Sequence, residues 1–500
     1  IYDRGFAAEE IRRRFRTKDP EPVIGCLGHW RFDAVDGPVY RDTSGGERHG
    51  RGVNYPLRMI PGPGLTEEQP WPELDPTTEP NFGHAVRLVA DQLVDCRWPE
   101  VLSWTVPRDL PQGQYAIRLE NEVGDSRDLP FIVRAPTPAA ALMVLSTTGT
   151  RLAYNYMPFG DPQLDYGAYL NHPNYPMLGH LLGQRRPARG EPHFYQVVNL
   201  ELPLCAWLDQ QGIEYDLYGE WDLERDPSLM DRYSVVAWAG HCEYWTAARY
   251  EALCHFRDRG GHILALSGNT CFWRVSIDLE NGVMEVRKHG AEHARDSGVT
   301  VDEMVNNAHW HQMDHLPGTL MQTAGWPQYR LGLGMTNGWS VPCLIDGDSA
   351  GYEILEPEHP LFHHPYAVSL ETPFAPGGAG YETDISYASM IRRFGEAQDP
   401  VRPLRSEMGT EDAAKNNGVI LARARLPDAL VLDLDMNSTT GELWSEMQLG
   451  ESEAGGVTFA AGSCMAALVL LEDQNFSKFM LNVLHRMGVD TRDSTGAATS

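Results

Sequence analysis

Residues 233–269 run YSVVAWAGHCEYWTAARYEALCHFRDRGGHILALSGN. An apolar run of strand length (233–240) meets a polar cluster, then a helical stretch that ends in paired glycines, then a second apolar run (262–269). Unbroken apolar runs joined by a helix are the mark of parallel strands buried on both faces. The same rhythm extends outward. ALMVLS (141–146) precedes the amphipathic LELPLCAWLDQQG (200–212) and IEYDLYG (213–219). ALVLDLDM (429–436) and GGVTFAAGS (455–463) read as further strands, and NFSKFMLNVLHRMG (475–488) as a closing helix with Asn475 as its N-cap and Gly488 after it. The reading is an α/β domain, a parallel sheet with crossover helices, over residues 137–488. In such open sheets the site forms beyond the carboxyl ends of the strands.

The N-terminal side has another texture. Residues 1–76 read as an exposed amphipathic helix followed by an extended arm rich in Gly, Pro and Asp. Residues 77–136 alternate in short segments, HAVRLVA, VLSWTV, QYAIRLE and LPFIVRAP, which predicts a small antiparallel β domain. Residues 489–500 are a polar tail.

Composition excludes several classes of function. A formal net charge of -28, from 69 acidic against 41 basic residues, repels phosphate backbones and anionic lipid, so nucleic acid is excluded as a partner. No run approaches the roughly 18 apolar residues that span a bilayer, so no membrane partner is expected. The eight cysteines form no CxxC and no regular framework, which fits a reducing cytoplasm. The first twenty residues contain no apolar core of signal-peptide type, so no signal peptide is expected in this chain.

No P-loop, GxSxG elbow or HExxH occurs. The unusual residues fall instead at the predicted strand ends: Tyr154, then His241 and Glu243, then Asn269. Phenolate and carboxylate are hard donors, suited to Fe(III) rather than to Zn. Taken singly, a tyrosine here is more often a half-buried aromatic with its hydroxyl hydrogen-bonded. Cys242 follows a strand and precedes a helix, the nucleophile position of amidotransferase-like domains, but it lacks the glycine neighbours of a strained elbow and reads better as a structural cysteine. His309, His311 and His315 could converge on a second metal; a hydrogen-bonded loop is the plainer reading.

Several strings, in order, resemble the large (beta) subunit family of N,N-dimethylformamidase: Leu-Ala-Tyr154-Asn155, Asp165-Tyr166-Gly167-Ala168-Tyr169-Leu170-Asn171-His172, His241-Cys242-Glu243-Tyr244, and Gly268-Asn269-Thr270-Cys271-Phe272-Trp273-Arg274-Val275. Thr105-Val106-Pro107, Met284-Glu285-Val286-Arg287, Gly380-Tyr381-Glu382-Thr383-Asp384 and Asn482-Val483-Leu484 extend the likeness over residues 24–488. The resemblance implies an amidotransferase-like α/β domain and a mononuclear iron held by two tyrosines and a glutamate. These are Tyr154, Tyr169 and Glu243 here, with His241, Asn269 and Glu382 as supporting catalytic residues. One departure is Cys242, where typical members carry proline.

The implied activity is hydrolysis of a small N-substituted, formamide-like amide. In that scheme Fe(III) acts as Lewis acid, Asn269 and His241 as donors, and Glu382 as general base and then acid. An acidic chain of this size with a projecting arm is expected to form a homo-oligomer, and the family often has a small accessory subunit. The alternative is a non-catalytic binding or assembly subunit on the same scaffold.

Overall fold

Alternation along the apolar runs explains the sheet. Leu142 and Val144, Val235, Ala237 and Ala239, and Leu264 and Leu266 join one buried cluster. Their neighbours Met143 and Leu145, Val236 and Trp238, and Ile263 and Ala265 join another. Successive side chains of a strand point to opposite faces. These strands are therefore covered on both sides, which is why their sequences are apolar without a break.

The computed structural model describes residues 1–16, 22, 24–32, 39–52, 57–60, 85–87, 94, 96, 98–155, 171–172, 175–176, 180–186, 192–286, 311, 313, 328–339, 349–394, 418–432 and 438–491. The chain is a mixed α/β protein that divides into two units. One comprises residues 1–99, 156–187 and 274–320. Its described elements are the helix Ala8–Arg16, short antiparallel pairs, and the antiparallel strands His180–Gly183, Val283–Val286 and Trp273–Asp278. His311 is buried in this unit, its Nδ1 sharing a hydrogen bond with Ser276 Oγ at 2.6 Å, while Glu285 accepts the Met313 N–H. His309 and His315 lie outside the described residues, as does Tyr169.

The second unit, residues 100–155, 188–273 and 321–500, holds the large sheet. Its strand order is Asp216–Gly219, Leu142–Ser146, Val235–Gly240, His262–Ser267, Val457–Ala460, Ser438–Glu451, Val419–Leu432, Met335–Trp339, Thr383–Ile385. The first five are parallel and the rest are added antiparallel. The sheet is thus mixed rather than wholly parallel. The difference comes from a hairpin of two 14-residue strands, Val419–Leu432 and Ser438–Glu451, of which the apolar pattern at 429–436 marks one end only.

The hairpin Gly113–Glu120 with Ser126–Val133 forms as alternation predicts. Residues 101–106, predicted as a strand, are irregular, and Val101 and Leu102 are largely exposed. Gln112 closes the sheet edge. Its side chain accepts the Leu217 N–H at 2.8 Å and donates to the Tyr215 carbonyl, filling the place of a neighbouring strand.

Helix ends follow their caps. Thr246 accepts the Arg249 N–H at the start of Ala247–Asp258. The helix Gln474–Arg486 is capped by Asp473, which accepts from Asn475 and Phe476, and not by Asn475 itself. A carboxylate two residues earlier is as good a cap as an amide, and such a cap contributes about 1 kcal/mol. This helix sends Phe479 into a cluster with Phe362, Phe374 and Phe459. Phe479→Ala is expected to cost about 3–5 kcal/mol, read as a lower denaturant midpoint at unchanged slope.

Among the described residues no helix is long and apolar enough to cross a membrane.

Candidate metal centre

Three parallel strands deliver the site residues from their carboxyl ends. Leu142–Ser146 leads into the helix Thr148–Ala153, whose C-cap is Tyr154. Val235–Gly240 leads into His241, Cys242 and Glu243, and His262–Ser267 into Gly268 and Asn269. Glu382 arrives from the antiparallel side, just before Thr383–Ile385. Both Asn269 and Glu382 sit at positive φ, 52° and 45°, a conformation that non-glycine residues hold only when their surroundings demand it.

The four strand ends bring five of the six expected residues together. The Tyr154 hydroxyl donates to Glu243 Oε2 at 3.1 Å. His241 Nε2 stands 3.1 Å from the same oxygen and 3.2 Å from Glu382 Oε2. Asn269 Nδ2 donates to Glu243 Oε1 at 3.2 Å. Glu243 itself is fixed through its backbone, its N–H donating to Thr150 Oγ1 at 3.1 Å. Tyr154, His241, Glu243, Asn269 and Glu382 are all buried. Tyr169 lies outside the described residues.

Electrostatics follow from that burial. Burial alone would lower the His241 imidazole, but the carboxylates of Glu382 and Glu243 outweigh it and raise the group to about 10. Two residues in the cluster carry no signal of their own in the sequence, Tyr381 and Asp384. Tyr381 packs edge-on against the His241 ring, with centroids 5.9 Å apart. Asp384 accepts the Asn269 N–H at 2.8 Å, and burial pushes its carboxyl up to about 8 despite that hydrogen bond. The string Gly380-Tyr381-Glu382-Thr383-Asp384 holds both, so the motif that supplies Glu382 was also the pointer to them.

Cys242 is inert. Burial, with Glu220 beside it, pushes its thiol well above the ordinary range, and the sulfur stands 3.9 Å from Glu220 Oε1. A buried thiol held in its neutral form is a structural cysteine.

The residues fit a metal ion. His241 Nε2, Glu382 Oε2 and Asn269 Oδ1 are buried without a hydrogen bond, although the first two stand close together. Such orphaned atoms are rare and call for a partner. One ligand atom from each of His241, Glu243 and Glu382 lies within 4.8 Å of the others, with the Tyr154 phenol at the edge of the group. The set is rich in oxygen and suits a hard cation.

Gly268 keeps the site closed. A Cβ there would stand 2.1 Å from the carbonyl oxygen of Glu382 and 3.2 Å from the Cys464 nitrogen, both backbone atoms that cannot swing aside. Gly268→Ala is expected to cost about 1–3 kcal/mol of stability. On the catalytic role that the family resemblance implies for Glu382, its displacement should also lower turnover by about 100-fold, the usual effect of misplacing such a group by about 1 Å. Thermal unfolding and steady-state kinetics read the two separately.

Fold and site together define a mixed α/β protein with a buried, oxygen-rich cluster of side chains at the carboxyl ends of its parallel strands. Residues 67–476 match the family described as N,N-dimethylformamidase beta subunit-like, C-terminal, and the chain belongs to that family. It is 31% identical over 337 residues to the N,N-dimethylformamidase beta subunit of Paracoccus aminophilus and 30% identical over 337 residues to that of Alcaligenes sp. Each comparison covers 58% of this chain and 42% of the relative, so the chain spans about two fifths of the length of these relatives.

Proposed function

We propose that the chain carries the catalytic centre of an iron-dependent hydrolase of small N-substituted, formamide-like amides, on an amidotransferase-like scaffold. The observation that carries this reading is the buried contact of Tyr154 with Glu243, closed by His241, Glu382 and Asn269. The names of the relatives supply the substrate class. Tyr154, Glu243 and Tyr169 would hold a single Fe(III), which as a Lewis acid supplies polarisation of the amide carbonyl and acidification of water.

The remaining residues handle protons and charge. Asn269 spends one amide hydrogen on Glu243 Oε1, orienting that carboxylate, and leaves the other for the oxyanion that forms at the amide carbon. Glu382 Oε2 takes a proton from water as the C–O bond forms. It returns that proton to the amine nitrogen as the C–N bond breaks, giving a carboxylic acid and an amine. His241, 3.2 Å from Glu382 Oε2, holds that oxygen in place and balances its charge. Burial of the whole group keeps bulk water from competing for these contacts. Since the relatives are named as beta subunits, a second type of subunit belongs to the proposed assembly.

The test is metal analysis, a visible spectrum and amine release from N,N-dimethylformamide by the purified chain. About one iron per chain, a tyrosinate charge-transfer band and amine release are expected. A chain that loads with iron yet cleaves no formamide would sink the catalytic reading in favour of a binding subunit.

A further inference from the structure

The helix Thr148–Ala153 carries two parts of the centre at once. Tyr154 caps its end, and Thr150 Oγ1 accepts the N–H of Glu243. Six residues make a marginal helix on their own, because nucleation costs more than so few hydrogen bonds return. Its placement therefore comes from outside.

Two fully buried carboxylates reach its first residues. Glu201 accepts the Thr147 N–H at 3.0 Å and the Thr147 hydroxyl at 2.9 Å, pairs with Arg151 at 2.9 Å, and takes the Gln114 amide at 2.7 Å. Glu220 accepts the Gly149 N–H and pairs with Arg249 at 3.1 Å. Arg249 in turn donates to the Tyr244 carbonyl at 3.1 Å and pairs with Glu224 at 3.2 Å. One side of this network thus grips the Tyr154 helix and the other grips the turn that carries Glu243. Gly149 is shaped to it, for a Cβ there would stand 2.8 Å from Glu220 Oε2.

We propose that Glu201 and Glu220 are positioning residues for the metal centre. Each clamps the Thr148–Ala153 helix, through the Thr147 N–H and hydroxyl or the Gly149 N–H, so that the Tyr154 phenol meets the Glu243 carboxylate. Buried ion pairs contribute little net stability, because desolvation offsets their attraction, so what these pairs supply is geometry. The role rests on the metal-centre reading of Tyr154 and Glu243 given above.

Glu201→Gln and Glu220→Gln in the full chain test it, with Thr147→Val as a milder variant that removes one hydroxyl and leaves no charge unpaired. In the metal-free protein, amide exchange of the segment 147–155 should rise about tenfold in the two Gln variants and about threefold in Thr147→Val, with the helix Gln474–Arg486 unchanged. In the iron-loaded protein the charge-transfer band should shift and kcat should fall about 10- to 100-fold with KM within about twofold. Unchanged exchange at 147–155, a uniform rise along the chain, or an unmoved band and kcat would each overturn the proposal. If the wild type takes up no iron, the metal reading fails by itself. The exchange comparison, with a Glu220→Gln and Tyr154→Phe double-mutant cycle on stability, then still decides the positioning role, and additive effects would overturn it.

Discussion

Glu243→Ala is expected to lower kcat/KM by on the order of 1000-fold, which corresponds to about 4 kcal/mol of lost transition-state stabilisation, and to release the metal. The size follows from the number of roles that converge on one carboxylate. Its Oε2 meets both Tyr154 and His241, and its Oε1 takes the Asn269 amide. Removing it leaves a buried amide donor unpaired and the His241 ring beside one carboxylate instead of two, so a stability loss of about 1–3 kcal/mol should accompany the lost activity. Tyr154→Phe separates the two effects. The ring still packs on His241 at 5.4 Å and on Tyr244 at 6.3 Å, so stability should change by about 1 kcal/mol or less, while the visible band shifts and weakens to that of one tyrosinate and most of the activity is lost. Metal content, spectra and kinetics measured side by side check this. Activity within tenfold of wild type in Glu243→Ala would remove that residue from the chemistry.

How far the sequence announces this arrangement depends on how local the physics is. The strands at 142–146, 235–240 and 262–267 are legible because burial on both faces writes an unbroken apolar run, and each run ends where a polar cluster begins. Tyr154, His241, Glu243 and Asn269 could therefore be placed at strand ends before any coordinates. The antiparallel half was less visible. The strands 419–432 and 438–451 are long, and their outer residues pair with Glu, Arg and Thr side chains that break the apolar pattern. Residues 101–106 show the reverse failure: an alternating pattern predicts a strand, but pairing requires a partner edge, and the Gln112 side chain supplies what the edge strand Asp216–Gly219 needs. Glu382 was legible only through the family resemblance, because a single carboxylate between strands has no periodicity to mark it. Glu201 sits in the amphipathic stretch 200–212 and Glu220 just beyond the run 213–219, and nothing local in a sequence reveals that either charge is fully buried.

Glu382→Gln should behave unlike Glu243→Ala, and the contrast assigns the two carboxylates. The substitution preserves volume and one oxygen but removes basicity, so a general base lost in this way should lower kcat by about 100- to 10,000-fold with KM and iron content nearly unchanged. The backbone around Glu382 will tolerate it. Its carbonyl accepts the Cys464 N–H at 3.4 Å, Gly268 packs against that carbonyl, and Asp384 two residues on holds the Asn269 N–H, so the positive φ of 45° is imposed by neighbours and not by the side chain. Stability should fall by about 1–3 kcal/mol, because the neutral amide gives up the buried ion pair with His241 at 3.2 Å while its oxygen can still accept from that ring. The decisive quantity is the iron. If it stays bound while turnover collapses, Glu382 works on protons beside a centre held by Tyr154 and Glu243. If the iron leaves as it does in Glu243→Ala, Glu382 is a ligand, the centre is built on His241, Glu243 and Glu382, and the general base must be sought elsewhere in the cluster.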